Sequence, residues 1–196
     1  MGKARSALNK AMPDVLARLS ERLPAMLIDT LREQWKGLTK LDEQIVEIER
    51  RLQTWMKEDK ASRAIAEIPG VGLLSATAAV ATMSDPGSFK SGREFAAWLG
   101  LVPGQTGTGG KVQLLGISKR GDTYLRTLLI HGARSVLCNT KQPGIWLEQL
   151  KNRRPLKVAA VALANKMARI MGRTCARSTL QQRSREHEAG LRRRCL

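Results

Sequence analysis

Ile68-Pro69-Gly70-Val71-Gly72 separates two short runs of helix-forming residues, and its reading decides the fold. The run from Lys60 to Glu67 must stop at Pro69, because a proline pushes its predecessor out of the α region and has no N–H to donate. Beyond the glycines, Leu73 to Met83 is Ala-rich and again helical. Glycine tolerates φ > 0 and lets backbone N–H groups approach a phosphate with no Cβ in the way. The segment predicts a helix–hairpin–helix, with Gly70 and Gly72 as candidate nucleic-acid contacts.

Toward the C-terminus, Asp85-Pro86-Gly87 reads as a turn, and Ser91 with Glu94 forms a capping box for a short helix ending at Gly100. Val102 to Ile117 holds five glycines and no helical period, so it is expected to be a loop, at most with a short ribbon. Asp122 caps a helix over Thr123–Leu137. Its apolar side is Leu125, Leu128, Leu129, Ala133 and Val136; its polar side is Arg126, Thr127, His131 and Arg134. Lys151-Asn152-Arg153-Arg154 fits either a phosphate contact or a solvated turn. A last helix starts around Pro155, with Ala159, Ala160, Ala164 and Ala168 small enough for close packing.

Toward the N-terminus a heptad appears. Leu31, Leu38, Ile45 and Leu52 alternate by three and four with Leu27, Gln34, Leu41, Ile48 and Trp55, which places a and d positions along one helix. Either self-association through residues 27–55 or packing against the rest of the chain would satisfy that stripe. The expected architecture is mainly all-α. It comprises a flexible basic lead at 1–24, a coiled-coil helix at 25–57, a helical domain with a Gly-rich loop at 58–171, and a disordered Arg-rich tail at 172–196. That tail carries seven Arg and no Lys, which also fits a shifted reading frame.

Charge narrows the function classes. The chain has 34 Lys+Arg against 17 Asp+Glu, a formal +17. Such an excess repels itself when compact and suits a polyanionic partner. No stretch has the ~18 apolar residues of a membrane span, and no signal-peptide core follows Met1, so a cytoplasmic protein is expected. Cys138, Cys175 and Cys195 show no metal-ligand spacing and read as free thiols. Lys111, Lys119, Arg120 and Arg126 lie in or beside Gly-rich loops and are the candidate phosphate contacts. Ser118 is a candidate hydroxyl there, and His131 a candidate base or simply a half-exposed side chain.

Ile68-Pro69-Gly70-Val71-Gly72, Ala96-Ala97-Trp98-Leu99-Gly100-Leu101-Val102-Pro103, Gly116 through Arg126 and Ala164-Asn165-Lys166 follow one another in an order that resembles a known family. It is the C-terminal half of insertion-sequence transposases of the one-ten type, relatives of the Piv/MooV DNA invertases. The likeness covers roughly residues 25–170. It implies a recombinase whose separate RuvC-like domain holds Mg²⁺ on carboxylates and whose C-terminal domain supplies a serine nucleophile. It also implies DNA as substrate and a structured guide RNA as partner.

Two departures are visible. Nothing before Leu27 has the strands or spaced acids of a RuvC-like domain, and Asp14, Glu21 and Asp29 read as solvated charges, so no metal or other cofactor is expected in this chain. The family's Ser-Gly pair corresponds to Thr108-Gly109, where the added methyl crowds the hydroxyl and no activating base is evident. The expectation is a truncated, inactive transposase that still binds DNA. The alternatives are a non-catalytic DNA- or RNA-binding module and a coiled-coil assembly factor.

Overall fold

The computed structural model describes the backbone of residues 3–83 and 89–194. The expected Asp85-Pro86-Gly87 turn and Cys195 lie outside the described residues. The described chain is mainly helical, with eight helices and one two-stranded ribbon. Residues Met1–Arg51 and Leu52–Leu196 form two compact units.

In the first unit, the basic lead is a helix, α1 (Lys3–Leu19), rather than a loose segment. Its Ala, Leu, Lys and Arg content favours helix, and the chain tolerates Pro13 within it. Pro24 then opens α2 (Ala25–Glu58), its carbonyl accepting from the Leu27 N–H at 3.0 Å. Along α2 the heptad residues Leu27, Leu38, Leu41, Ile45, Ile48 and Trp55 are 41–55% exposed. On the same helix Glu47 accepts from both Arg50 and Arg51, and those two guanidiniums hold its carboxyl down to a pKa of about 2.

The second unit builds its core from short helices laid on one long one. Asp59 caps α3 (Lys60–Ala66), accepting from the Ser62 N–H at 2.6 Å. After the turn at 67–72 comes α4 (Leu73–Thr82). Ser91 caps α5 (Gly92–Trp98) by accepting from the Glu94 N–H, while the Glu94 carboxylate reaches back to the Lys90 N–H at 2.7 Å, one residue earlier than in the usual capping box. Asp122 caps α6 (Thr123–Asn139), accepting from the Leu125 N–H at 2.7 Å. A short amphipathic helix, α7 (Ile145–Arg153), takes in most of the basic run that fitted a contact or a turn.

Helix α8 (Leu156–Arg194) packs against α3, α5, α6 and α7. Its Ala159, Ala160, Ala164 and Ala168 are buried as expected, and Met167 and Met171 fill the space between helices. Where the sequence suggested disorder from residue 172, the backbone stays helical to Arg194. A helix already nucleated by packing propagates readily through Ala, Arg, Gln and Glu without needing an apolar period. Near its middle, burial pushes the Cys175 thiol up to about 12, with the Asp59 charge adding to the shift.

Val102 to Ile117 is more ordered than a loop. Strands β1 (Pro103–Thr108) and β2 (Lys111–Ile117) pair antiparallel, with an irregularity between Pro103 and Gln105. Thr108 faces Lys111, so Gly109-Gly110 alone make the turn, at φ 61° and 80°. Positive φ at both central residues is the mark of a type I′ turn, whose twist matches that of the flanking strands.

Candidate nucleic-acid interface

The sequence-derived site residues separate into three groups in space. The first is the ribbon tip. Thr108 and Lys111 are directly opposed and exposed, so a hydroxyl and an ammonium share one face beside the Gly109-Gly110 turn. No acidic residue occurs anywhere between Glu94 and Asp122. The tip is therefore a cationic projection free of competing carboxylates, suited to holding a phosphate near a hydroxyl.

The second group is the loop from Ser118 to Asp122, which is fastened to the end of α5. The Ser118 N–H donates to the Val102 carbonyl at 2.9 Å, and the Lys119 N–H to the Gly100 carbonyl at 3.2 Å. Lys119 is the one described non-glycine residue at positive φ, 56°. A β-carbon on Gly121 would run into the Trp98 carbonyl, and one on Gly100 into the Arg120 backbone. Both glycines are thus demanded by contact as well as by φ values of 75° and 71°. Held this way, the Lys119 and Arg120 side chains remain exposed, while Ser118 is half-buried.

Arg126 belongs to that fastening and not to the cationic surface. It is only 8% exposed. Its Nη1 donates to the Leu99 carbonyl at 3.0 Å and the Arg120 carbonyl at 2.9 Å, and its Nη2 to Thr123 Oγ1 at 3.1 Å. Contrary to the expectation from the sequence, Arg126 does not share the polar side of α6 with His131 and Arg134. At ~100° per residue it falls only about 20° from Ala133, whose side is buried. His131 and Arg134 do lie on the exposed side of α6.

The third group is the hairpin at Ile68–Gly72. Gly70, at φ 86°, presses against Gly132 of α6, and a β-carbon there would meet Val136 and the Gly132 carbonyl. Its glycine is a packing requirement. Gly72, which precedes α4, has open space around it and stays available to a ligand.

Two further features bear on the surface. Trp98 stacks on Phe95 with ring centroids 6.0 Å apart and meets Phe89 edge-on at 5.6 Å, yet remains 39% exposed beside the fastened loop. The triplet Ala164-Asn165-Lys166 divides its work. Ala164 is buried, Asn165 Nδ2 donates to the Leu101 carbonyl at 3.1 Å, and Lys166 Nζ sits 4.1 Å over the Trp146 ring. The sequence reading did not single out Thr106 and Gln113, which accompany Thr108 and Lys111 on the ribbon. A Gly-Gly pair between alternating residues is the hairpin signal that would have located them.

The family pattern described as "Transposase IS116/IS110/IS902 family" matches residues 62–145, from the start of the hairpin helices through the ribbon, the fastened loop and α6. The chain belongs to that transposase family. It is 45% identical, over 90% of its own length and 54% of the relative's, to a "Probable family 20 transposase" of Pseudomonas aeruginosa. It is 38% identical, over 87% of its length and 48% of the relative's, to the "Transposase for insertion sequence element IS1111A" of Coxiella burnetii. A third relative, the "Transposase for insertion sequence element IS1328" of Yersinia enterocolitica, is 40% identical over 76% of this chain and 46% of its own. The chain thus spans about half the length of these curated relatives. Among the described residues, no helix is long and apolar enough to cross a membrane.

Proposed function

We propose that this chain is the DNA-contacting part of a transposase, acting in DNA transposition in the cytoplasm, and that it grips the phosphate backbone through Lys111, Lys119 and Arg120. The observation that carries the reading is the fastened loop, which holds two exposed cations on a backbone fixed by Gly100, Gly121 and Arg126. Rigid presentation reduces the ordering cost of each phosphate contact. The test is fluorescence anisotropy of labelled duplex over a salt series. With about six Lys/Arg engaged, log K falls against log salt with a slope of roughly −5. Replacing Lys119 and Arg120 together with alanine reduces the slope by about two. A flat salt response would remove the nucleic-acid reading altogether.

Chemistry at this site is limited by its surroundings. The Thr108 hydroxyl stands beside a cation, Lys111, which can hold a phosphate but cannot take a proton while charged. Thr108 and Lys111 bring no carboxylate to the ribbon tip, so these side chains do not fit Mg²⁺ and no step here runs through it. On this reading the chain by itself forms no covalent adduct with DNA. An adduct on a denaturing gel that disappears in Thr108→Ala would overturn that and make Thr108 a working nucleophile. Failure to cleave fits equally a non-catalytic module that presents its hairpin at Gly72 to DNA or RNA.

The exposed heptad seam supports a second copy of this chain as its partner along residues 27–55. Sedimentation equilibrium is then expected to give a dimer or larger. Leu38→Asp with Ile45→Asp gives a monomer, since an unpaired carboxylate buried on the seam is costly or must protonate. A monomeric parent would refute self-association through α2.

A further inference from the structure

The register of the ribbon sorts its side chains into two unlike faces. Residues directly opposed across an antiparallel pair share a face, and successive pairs alternate. The regular pairs are Gln105 with Leu114, Thr106 with Gln113, Gly107 with Val112, and Thr108 with Lys111. One face therefore carries Thr106, Gln113, Thr108 and Lys111: two hydroxyls, an amide and an ammonium. The other carries Val112 and Leu114 with Gln105 and Gly107. All eight residues are exposed.

We propose that the polar face enters the DNA major groove and that Gln113 and Thr106 read base edges there as specificity-determining residues. This rests on the proposed DNA-binding reading and adds sequence recognition to it. A two-stranded ribbon fits a major groove about 12 Å wide. A-form RNA offers no equivalent, because its major groove is deep and narrow. The Gln113 amide has the donor and acceptor needed to pair with adenine N6 and N7, and the Thr106 hydroxyl can donate or accept beside it. The pair Thr106/Gln113 lies two residues behind Thr108/Lys111, roughly 7 Å along the ribbon. That distance is about two base steps, so a phosphate held by Lys111 at the tip leaves the amide over a neighbouring base pair. The absence of acidic residues from Phe95 to Gly121 removes the repulsion that would keep such a projection out of the groove.

The test uses the full chain and a pool of random-sequence duplexes, with retained DNA sequenced after binding. The expected result is a preference at one or two base pairs, reduced about tenfold in Gln113→Ala while the mean affinity for unselected duplex changes less than about twofold. Gln113→Glu is expected to move the preference from adenine toward cytosine, whose N4 amine a carboxylate accepts. Both positions are solvent-exposed, and thermal unfolding by circular dichroism verifies that the variants fold. A parent that binds duplex without preference would overturn this inference alone. So would a preference unchanged by Gln113→Ala and Thr106→Val, or a loss shared equally by all sequences. Tighter binding to structured RNA hairpins through these same two residues would overturn it in favour of RNA. A parent that binds no duplex at all fails the underlying DNA-binding reading instead.

Discussion

The ribbon at 103–117 and the loop at 118–122 are built from the same kinds of residue, glycine, hydroxyl and cation, yet the chain holds them in opposite ways. In the loop, each glycine touches something: Gly121 the Trp98 carbonyl, and Gly100, its neighbour across the contact, the Arg120 backbone. Arg126 ties the same backbone from beneath. In the ribbon tip, Gly109 and Gly110 have nothing within 4 Å and serve only the turn. Glycine in a sequence therefore says that a backbone is unusual. It does not say whether neighbours or solvent make it so, and the two cases differ in how far a side chain beside them can adapt to a ligand.

Substitutions can break or sharpen this contrast. The largest effect is expected for Gly121→Ala, which adds a collision with backbone to an unfavourable φ and should lower unfolding free energy by about 3 kcal/mol or more. Gly109→Ala meets no atoms and should cost about 1 kcal/mol. Urea unfolding of the two variants side by side measures the difference, and equal losses would erase the distinction drawn here. Next comes Arg126→Leu, which leaves the Leu99 and Arg120 carbonyls without their donor and should destabilise by about 2 kcal/mol. Its salt slope for duplex binding should match the parent's. A slope reduced by about one would return Arg126 to the phosphate-contacting set. The smallest effect is Lys119→Gly, which relieves the left-handed residue and should stabilise by up to about 1 kcal/mol while weakening binding to all duplexes alike. Stabilisation without weaker binding would mean that Lys119 shapes the loop and touches no phosphate.

Much of this was legible in the residues. The caps at Ser91 and Asp122, the alanines of α8 and the stop at Pro69 each act within a turn or two of themselves, and sequence records such local effects directly. What escaped was whatever depended on partners distant along the chain. Arg126 looked like a surface cation because its acceptors, Leu99 and Arg120, come from two other segments. Gly70 looked like a phosphate cradle because Gly132 lies far along the chain. The ribbon was legible only as a possibility, because no face of it is buried and Val112 and Leu114 are the whole of its apolar alternation. The helical course of α8 beyond residue 172 went unseen because it follows intrinsic propensity without an apolar period, whereas in α1 the stripe Leu8, Met12, Val15, Leu16 and Leu19 was there to be read across Pro13.

The position of α8 in chain order has a consequence for biosynthesis. It is the helix against which α3, α5, α6 and α7 are laid, yet each of those is translated before it. At about 5–20 residues per second, the forty or so residues of α8 take seconds to emerge. Until they do, Phe95, Leu99, Leu125 and Leu129 lack the surface that buries them. The segments from α3 to α7 therefore emerge from the ribosome with their apolar faces uncovered, and the yield of soluble product should depend on chaperone supply and on growth temperature more than on the stability of the finished fold.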